Sequence, residues 1–171
     1  MTVTLVVDSG EPKSLQALLQ KVVTKKYWGG IEKLPWGDAK IGDGWILVER
    51  KTANDLLNTL SEKRKDGRNR FWAQMEGITQ SSPNPILIVE GPWKSSPRGR
   101  IVIGQRTTGW SVAAVQRALH EVQDKYGVKY LWTPSHQGTA LTIKALLDWV
   151  NKSDSEILPQ VWDGIGLNAV D

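Results

Sequence analysis

The chain has 171 residues, 40% hydrophobic and 23% charged, which suits one globular domain with a short tail and excludes disordered or collagen-like chains. It has no cysteine and two histidines, so a disulfide framework, a thiol nucleophile, thiolate zinc and multi-histidine metal sites are excluded, and any metal would sit on carboxylates. The net charge of +4 hides an uneven distribution: residues 1–147 carry 21 Lys and Arg against 13 Asp and Glu, and residues 148–171 carry one against five.

Val3 to Val7 is a short apolar, β-branched run that reads as a buried strand. Pro12 suits the first turn of a helix reaching about Val23, with leucines at 15, 18 and 19 on one face. Gly29-Gly30 reads as a break, and Ile31 to Trp36 as a second strand. Gly42-Asp43-Gly44 is a turn signal, and Trp45 to Arg50 is a third strand, paired with the second in a hairpin-like way. Thr52 can cap a helix to about Leu60. The basic stretch Glu62 to Arg70 leads into another helix ending near Thr79. Ile86 to Val89 reads as a central strand. Residues 91–110, rich in Gly, Pro, Ser and Arg, read as a long, partly mobile loop. Ser111 caps a helix closed by Gly127, Val128 to Trp132 is a strand, and Gly138 to Val150 is a closing helix. Alternating strands and helices predict an α/β fold with a mixed sheet. The expected division is one domain over residues 1–150 and an acidic tail over 151–171.

No apolar run approaches ~18 residues, so no membrane-spanning helix is expected. The opening segment MTVTLVVDSGE lacks the basic start of a signal peptide. An intracellular protein, not a secreted one, is the expectation, and the missing cysteines agree with a reducing compartment.

Chemistry concentrates around the third strand. Side chains alternate along a strand, so Glu49 and Lys51 share a face and Arg50 points the other way. Asp38 lies beside that strand, and Asp8 ends the first strand, with Glu11 just beyond it. Carboxylates and a lysine converging at one sheet edge suit Mg²⁺ or Mn²⁺, phosphodiester charge and an activated water. The spacing Glu-x-Lys occurs in restriction-type nucleases, but it is also common by chance and at a strand edge is usually a solvated pair. The combination with Asp8 and Asp38 carries the signal. A nucleotide-binding domain is disfavoured, because Asp8-Ser-Gly-Glu-Pro replaces any glycine-rich phosphate loop. Asp43 reads as a turn residue, with a spare metal ligand as the sharper alternative.

Gly37-Asp38 followed by Val48-Glu49-Arg50-Lys51-x3-Asp55 resembles the XPF family of structure-specific endonucleases, whose nuclease domain carries a Gly-Asp…Glu-Arg-Lys-x3-Asp motif. Further stretches are similar to that family: Val6-Val7-Asp8 with Glu11, Gly67-Arg68…Gln74, Ile86 to Gly91, Ala114 to Leu119, and Leu131-Trp132-Thr133-Pro134-Ser135. The likeness covers about residues 3–150. It departs at Gly10, where the family has arginine, and in the longer turn between Asp38 and Glu49. No tandem helix-hairpin-helix domain follows, so a free-standing nuclease domain is expected.

The resemblance implies a restriction-endonuclease-like mixed sheet flanked by helices. It also implies a Mg²⁺ (or Mn²⁺)-dependent DNA endonuclease acting on flaps, forks or Holliday junctions in repair or recombination. Asp8, Asp38 and Glu49 would hold the metal with the main-chain carbonyl of Arg50, and Lys51 would position the attacking water. Glu11, Arg50 and Asp55 would order the site, the last two as an ion pair. Arg68 would reach the scissile phosphate or brace the acids. A homodimer through the helices at 111–126 and 138–150 is implied, although the stripe Val112, Val115, Leu119, Val122 fits core packing equally well. From the residues themselves, Lys63, Arg64, Lys65, Arg68, Arg70, Arg98 and Arg100 are candidate phosphate contacts. Trp72 and Trp93 are candidates for stacking on unpaired bases, with core burial favoured for Trp72. Neither His120 nor His136 lies near the acids in sequence, so both read as ordinary. The alternative function is a non-catalytic DNA-binding subunit of a heterodimeric nuclease.

Overall fold

The computed structural model describes residues 2–152; the acidic tail beyond them lies outside the described residues. In chain order the elements are β1 (Leu5–Asp8), α1 (Lys13–Val22), β2 (Trp28–Glu32), β3 (Ala39–Ile41), β4 (Ile46–Thr52), α2 (Ala53–Ser61), α3 (Arg70–Ser81) and β5 (Asn84–Glu90). There follow β6 (Lys94–Ser95), β7 (Arg100–Ile103), β8 (Arg106–Ser111), α4 (Val112–Tyr126), β9 (Lys129–Thr133) and α5 (His136–Asn151). Six strands form one mixed sheet in the order β2-β1-β3-β4-β5-β9, and β6-β7-β8 form a separate small sheet. The α/β class and the mixed central sheet match the sequence expectation.

Alternation along β4 and β5 builds two cores, one on each face of the large sheet. Ile46, Val48, Ile86 and Ile88 face α1 and α5. Leu47, Leu87 and Val89 face the opposite way, toward α2, α3 and α4. Both faces are covered, which is why β5 reads Ile-Leu-Ile-Val without a polar residue until Glu90. The stripe Val115, Leu119 and Val122 on α4 is fully spent in the second core. The dimer role expected of it is therefore not available.

Three local expectations change. Gly29-Gly30 is part of edge strand β2, not a break. A Cβ on Gly29 would come within 2.9 Å of the Leu5 carbonyl oxygen, so glycine permits the close approach of β2 to β1. The hairpin partner of β4 is β3, not residues 31–36. At three residues β3 is too short to display a period. Residues 91–110 are not a bare loop: Ile101 is buried and Ile103 packs on the second core. Gly99 (φ 71°) and Gly104 (φ 62°) supply the left-handed turns joining the strands of the small sheet.

Phe71, the first aromatic of α3, has no exposed surface and meets the Trp72 ring edge-on. Phe71→Ala is expected to cost about 3–5 kcal/mol, read as a lowered urea midpoint with the far-ultraviolet spectrum retained.

Candidate active site

The sheet topology brings the predicted acids to one edge. The Asp8 N–H donates to the Asp38 carbonyl at 2.8 Å, and the Asp38 N–H donates to the Val48 carbonyl at 2.7 Å. Asp38 therefore enters β3 between the end of β1 and the middle of β4. One residue further along β4 stands Glu49, and Lys51 Nζ lies 3.2 Å from its Oε1. Both side chains are nearly enclosed, 6% exposed for Lys51 and 12% for Glu49. Glu49 and Lys51 share the face of Leu47.

Arg50 takes the other face, as alternation requires, and finds partners there that the sequence reading did not name. Its Nε and Nη2 donate to Glu90 at 2.9 and 3.0 Å, a two-pronged pair, and its Nη1 reaches Glu11 at 3.3 Å. His136 stands 3.3 Å from Glu90 and 3.1 Å from Arg50 Nη2, and the Thr139 hydroxyl donates to Glu90. The main-chain N–H of Arg50 turns back and donates to Asp38 Oδ2 at 2.7 Å. One residue thus ties the buried ion-pair cluster on one face to an acid of the candidate site. Glu90 was legible as an isolated acid ending an all-apolar strand, since such a group needs a counter-charge. His136 sits 86 residues from Arg50, and no local pattern signals it.

The expected pairing of Arg50 with Asp55 does not form. Asp55 belongs to the first turn of α2: the Thr52 hydroxyl donates to Asp55 Oδ2 at 2.7 Å and accepts from the Asp55 N–H at 3.1 Å. This reciprocal cap fixes the start of α2. Asp43, at φ 48°, is a turn residue between β3 and β4.

Electrostatics single out Asp38. Burial, then the charges of Glu49 and Glu11, push its carboxyl up to about 8 despite the Arg50 N–H and Lys51. Glu11 is pushed up to about 7, chiefly by burial, with Arg50 opposing. A buried pair of carboxylates that repel one another fits a hard divalent cation in its chemistry.

Asp8 does not complete a third ligand in this arrangement. Its Oδ1 accepts from the Leu34 N–H at 2.7 Å, and its Oδ2 accepts from the Gly10 N–H at 2.8 Å and Lys33 at 3.2 Å. Burial would raise its carboxyl, but these donors hold it below the usual carboxylate range. Gly10 is the reason the carboxylate can fold back: a Cβ there would stand 2.6 Å from Asp8 Oδ2. Among the described residues no three or more His, Asp or Glu side chains stand together as a metal cage. Asp38 and Glu49 are the two acids whose mutual repulsion a cation would relieve.

The candidate phosphate contacts fall into two groups. Arg64 and Arg68 pair with Asp66, Arg68 also with Glu76, and Arg70 with Glu62. Arg68 therefore braces its own segment instead of the acids. Lys63 and Lys65 are exposed beside them, and Arg98 and Arg100 lie on the small sheet, also exposed. Trp72 packs against Tyr126, with ring centroids 6.1 Å apart, at the edge of the second core.

The chain is similar to known proteins. A family model described as the ERCC4 domain matches residues 12–146. The 3′-flap repair endonuclease Xpf of Saccharolobus solfataricus is 29% identical over 103 residues, covering 60% of this chain and 38% of that protein. The chain thus spans well under half the length of this relative. XPF from Aeropyrum pernix superposes with a TM-score of 0.65 at 24% identity, covering 98% of this chain and 75% of that one. The structure of the Aeropyrum protein in complex with DNA gives 0.57 at 25% identity, with 98% and 76% covered.

The Arg50–Glu90 pair is buried, at 7% and 2% exposure, and Glu90 is held below its ordinary 4.5, against burial, by Arg50 and Thr139. A carboxyl lowered on folding stabilises above its unfolded value and loses that contribution as pH falls below it. Glu90→Gln should therefore cost about 3 kcal/mol at pH 7. In urea titrations the gap to wild type should narrow as pH falls below 4.5.

Proposed function

The chain belongs to the ERCC4 domain family, and on that footing we propose that it is a divalent-metal-dependent endonuclease cutting branched DNA: flaps, forks or four-way junctions. The observation that carries this reading is the enclosed set Asp38, Glu49 and Lys51 at one sheet edge, held by the Arg50 main chain. The DNA-bound state of a similar fold supports the choice of polymer.

Asp38 and Glu49 would hold the cation, with the Arg50 carbonyl as a further oxygen donor. Asp8 would join only by leaving Leu34, Gly10 and Lys33. Mg²⁺ or Mn²⁺ bound there supplies charge neutralisation for a phosphodiester and lowers the pKa of a water. Lys51, already against Glu49, presents a fixed positive charge toward the same space, where it can orient the water or the phosphate oxygens. Arg50, locked by Glu90 and Glu11, keeps Asp38 aimed through its N–H. Lys63, Lys65, Arg98 and Arg100, with Arg64, Arg68 and Arg70 at their ion pairs, are placed to meet phosphates without reading sequence.

A homodimer is part of this reading. On α5, Leu141 and Trp149 are 48% and 52% exposed, eight residues apart on one side of the helix. They offer an apolar strip that a second copy would cover. The folded-back Asp8 favours the alternative, a DNA-binding subunit without catalysis, and one experiment separates the two. Wild type should cut a panel of synthetic flaps, forks and four-way junctions in Mg²⁺. Glu49→Gln and Lys51→Ala should each lose at least about a hundredfold. Cleavage unchanged by both substitutions would sink the mechanism, and no cleavage by wild type would favour the subunit.

A proton on Asp38 competes with the cation. Because that carboxyl is raised to about 8, Mn²⁺ affinity measured by calorimetry should increase as pH rises toward 8 and level off above it. The pH dependence should flatten in Asp38→Asn.

A further inference from the structure

Residues 91–120 contain Lys94, Arg98, Arg100, Arg106 and Arg117 and not one Asp or Glu. That stretch folds into the small sheet and the start of α4. The contrast with residues 62–70 is sharp. There each arginine meets an acid, whereas among the described residues no cation of the small sheet has an ion-pair partner. Arg100 and Arg106 bond only neutral oxygens, of Gly109 and Asn54, so their charges stay uncompensated. Arg98 and Arg100 line a recess of about 520 Å³ with Ser96, Pro97 and Thr107. Pairing sets the direction of this face. Lys94 stands opposite Val102 and Val102 opposite Thr107, and the neighbouring Ile101 is buried in the core. Lys94 and Thr107 therefore face outward.

At the root of the small sheet lies a second recess, about 420 Å³, walled by Gly91, Pro92, Trp93, Trp132, Thr133 and Pro134. Trp93 and Trp132 are half-buried, with ring centroids 5.0 Å apart and planes inclined by 46°. Register relates this recess to the candidate active site. Lys51 pairs with Val89, and Val89 with Trp132. The three form one row across three adjacent strands and point to the same side of the sheet. Two strand spacings separate Lys51 from Trp132, about 10 Å. That distance is within the reach of a few nucleotides of a DNA strand.

We propose that the Trp93–Trp132 recess and the outer face of β6–β8 together form the berth of an unpaired DNA strand leaving the cleavage site. The two halves supply the two things such a strand needs. Aromatic walls take a base that has lost its partner, and an acid-free cationic face follows the phosphates. A duplex presents its bases edge-on inside the stack and gains nothing from the recess, so this surface distinguishes branched from continuous DNA. The inference rests on the branched-DNA reading and assigns the single-stranded arm to a place on the fold.

The test is binding, not cleavage. The probes are a fluorescein-labelled oligo(dT) and a blunt duplex of equal length, titrated at several salt concentrations. Lys94→Ala/Arg98→Ala alters two exposed cations without ion-pair partners, so the fold is untouched. It should lower the slope of log affinity against log salt for oligo(dT) by about 1.4 and lower the duplex slope by less. Trp93→Ala should weaken oligo(dT) about tenfold with the slope intact. Should that variant fail to fold, Trp93→Phe should show the same direction with a smaller loss. A 2-aminopurine in the oligonucleotide should be quenched by wild type and less so by either Trp93 variant. Equal losses on oligo(dT) and duplex, or no change in slope and quenching, would overturn the berth. The enzymatic reading fails separately: if wild type cuts no junction while the oligo(dT) results hold, the strand surface stands without the nuclease.

Discussion

Arg50 is the residue on which the arrangement turns. Its guanidinium is held by Glu90 and Glu11 on one face of the sheet, and its N–H holds Asp38 at the edge. Its neighbours in β4, Glu49 and Lys51, are thereby committed to the opposite face. A slip of one residue in β4 would exchange the faces, turning Glu49 and Lys51 toward α1 and α5 and moving Arg50 away from Glu90 and Glu11 to the face of Leu47. The apolar residues Ile46, Leu47 and Val48 prevent that slip, because each belongs to a different core from its neighbour. The ion-pair cluster and the two cores therefore specify the same register.

Placing a charged cluster inside a protein is costly unless every member is partnered. Here Glu90 accepts from Arg50 and Thr139, with the His136 ring 3.3 Å away, and its carboxyl is held below its ordinary value. Asp38 and Glu49 are different. They are desolvated, they repel, and Lys51 offsets only part of that repulsion, which is why Asp38 holds its proton to about 8. One side of β4 is a finished structural joint, and the other holds the two acids between which we propose a cation sits. That asymmetry separates the residues that hold the fold from those to which the proposed chemistry is assigned.

Much of this was legible in the sequence. The alternation of Glu49, Arg50 and Lys51, the convergence of Asp8 and Asp38, and the order of helices and strands all follow from local pattern. Other features were not. Asp55 fits both a cap and a site motif, and the nearer bond, to Thr52, takes it away from Arg50. His136 joins the cluster only through the docking of α5, which no window of sequence contains. The strands of the small sheet were hidden because β6 is two residues long and glycine turns dominate the segment. The folding-back of Asp8 depends on Gly10, whose importance is a missing Cβ. Equal-looking basic stretches differ because their acids do: Asp66, Glu62 and Glu76 neutralise one, and nothing in residues 91–120 neutralises the other.

The proposed chemistry requires that Asp38 and Glu49 hold a cation together. The direct measurement is a crystal structure of the protein grown with Mn²⁺ and recorded for anomalous scattering. The expected result is one anomalous peak in contact with both carboxylates, beside Lys51 and lost in Asp38→Asn. A well-ordered edge with no peak, or a peak held by other residues, would contradict it.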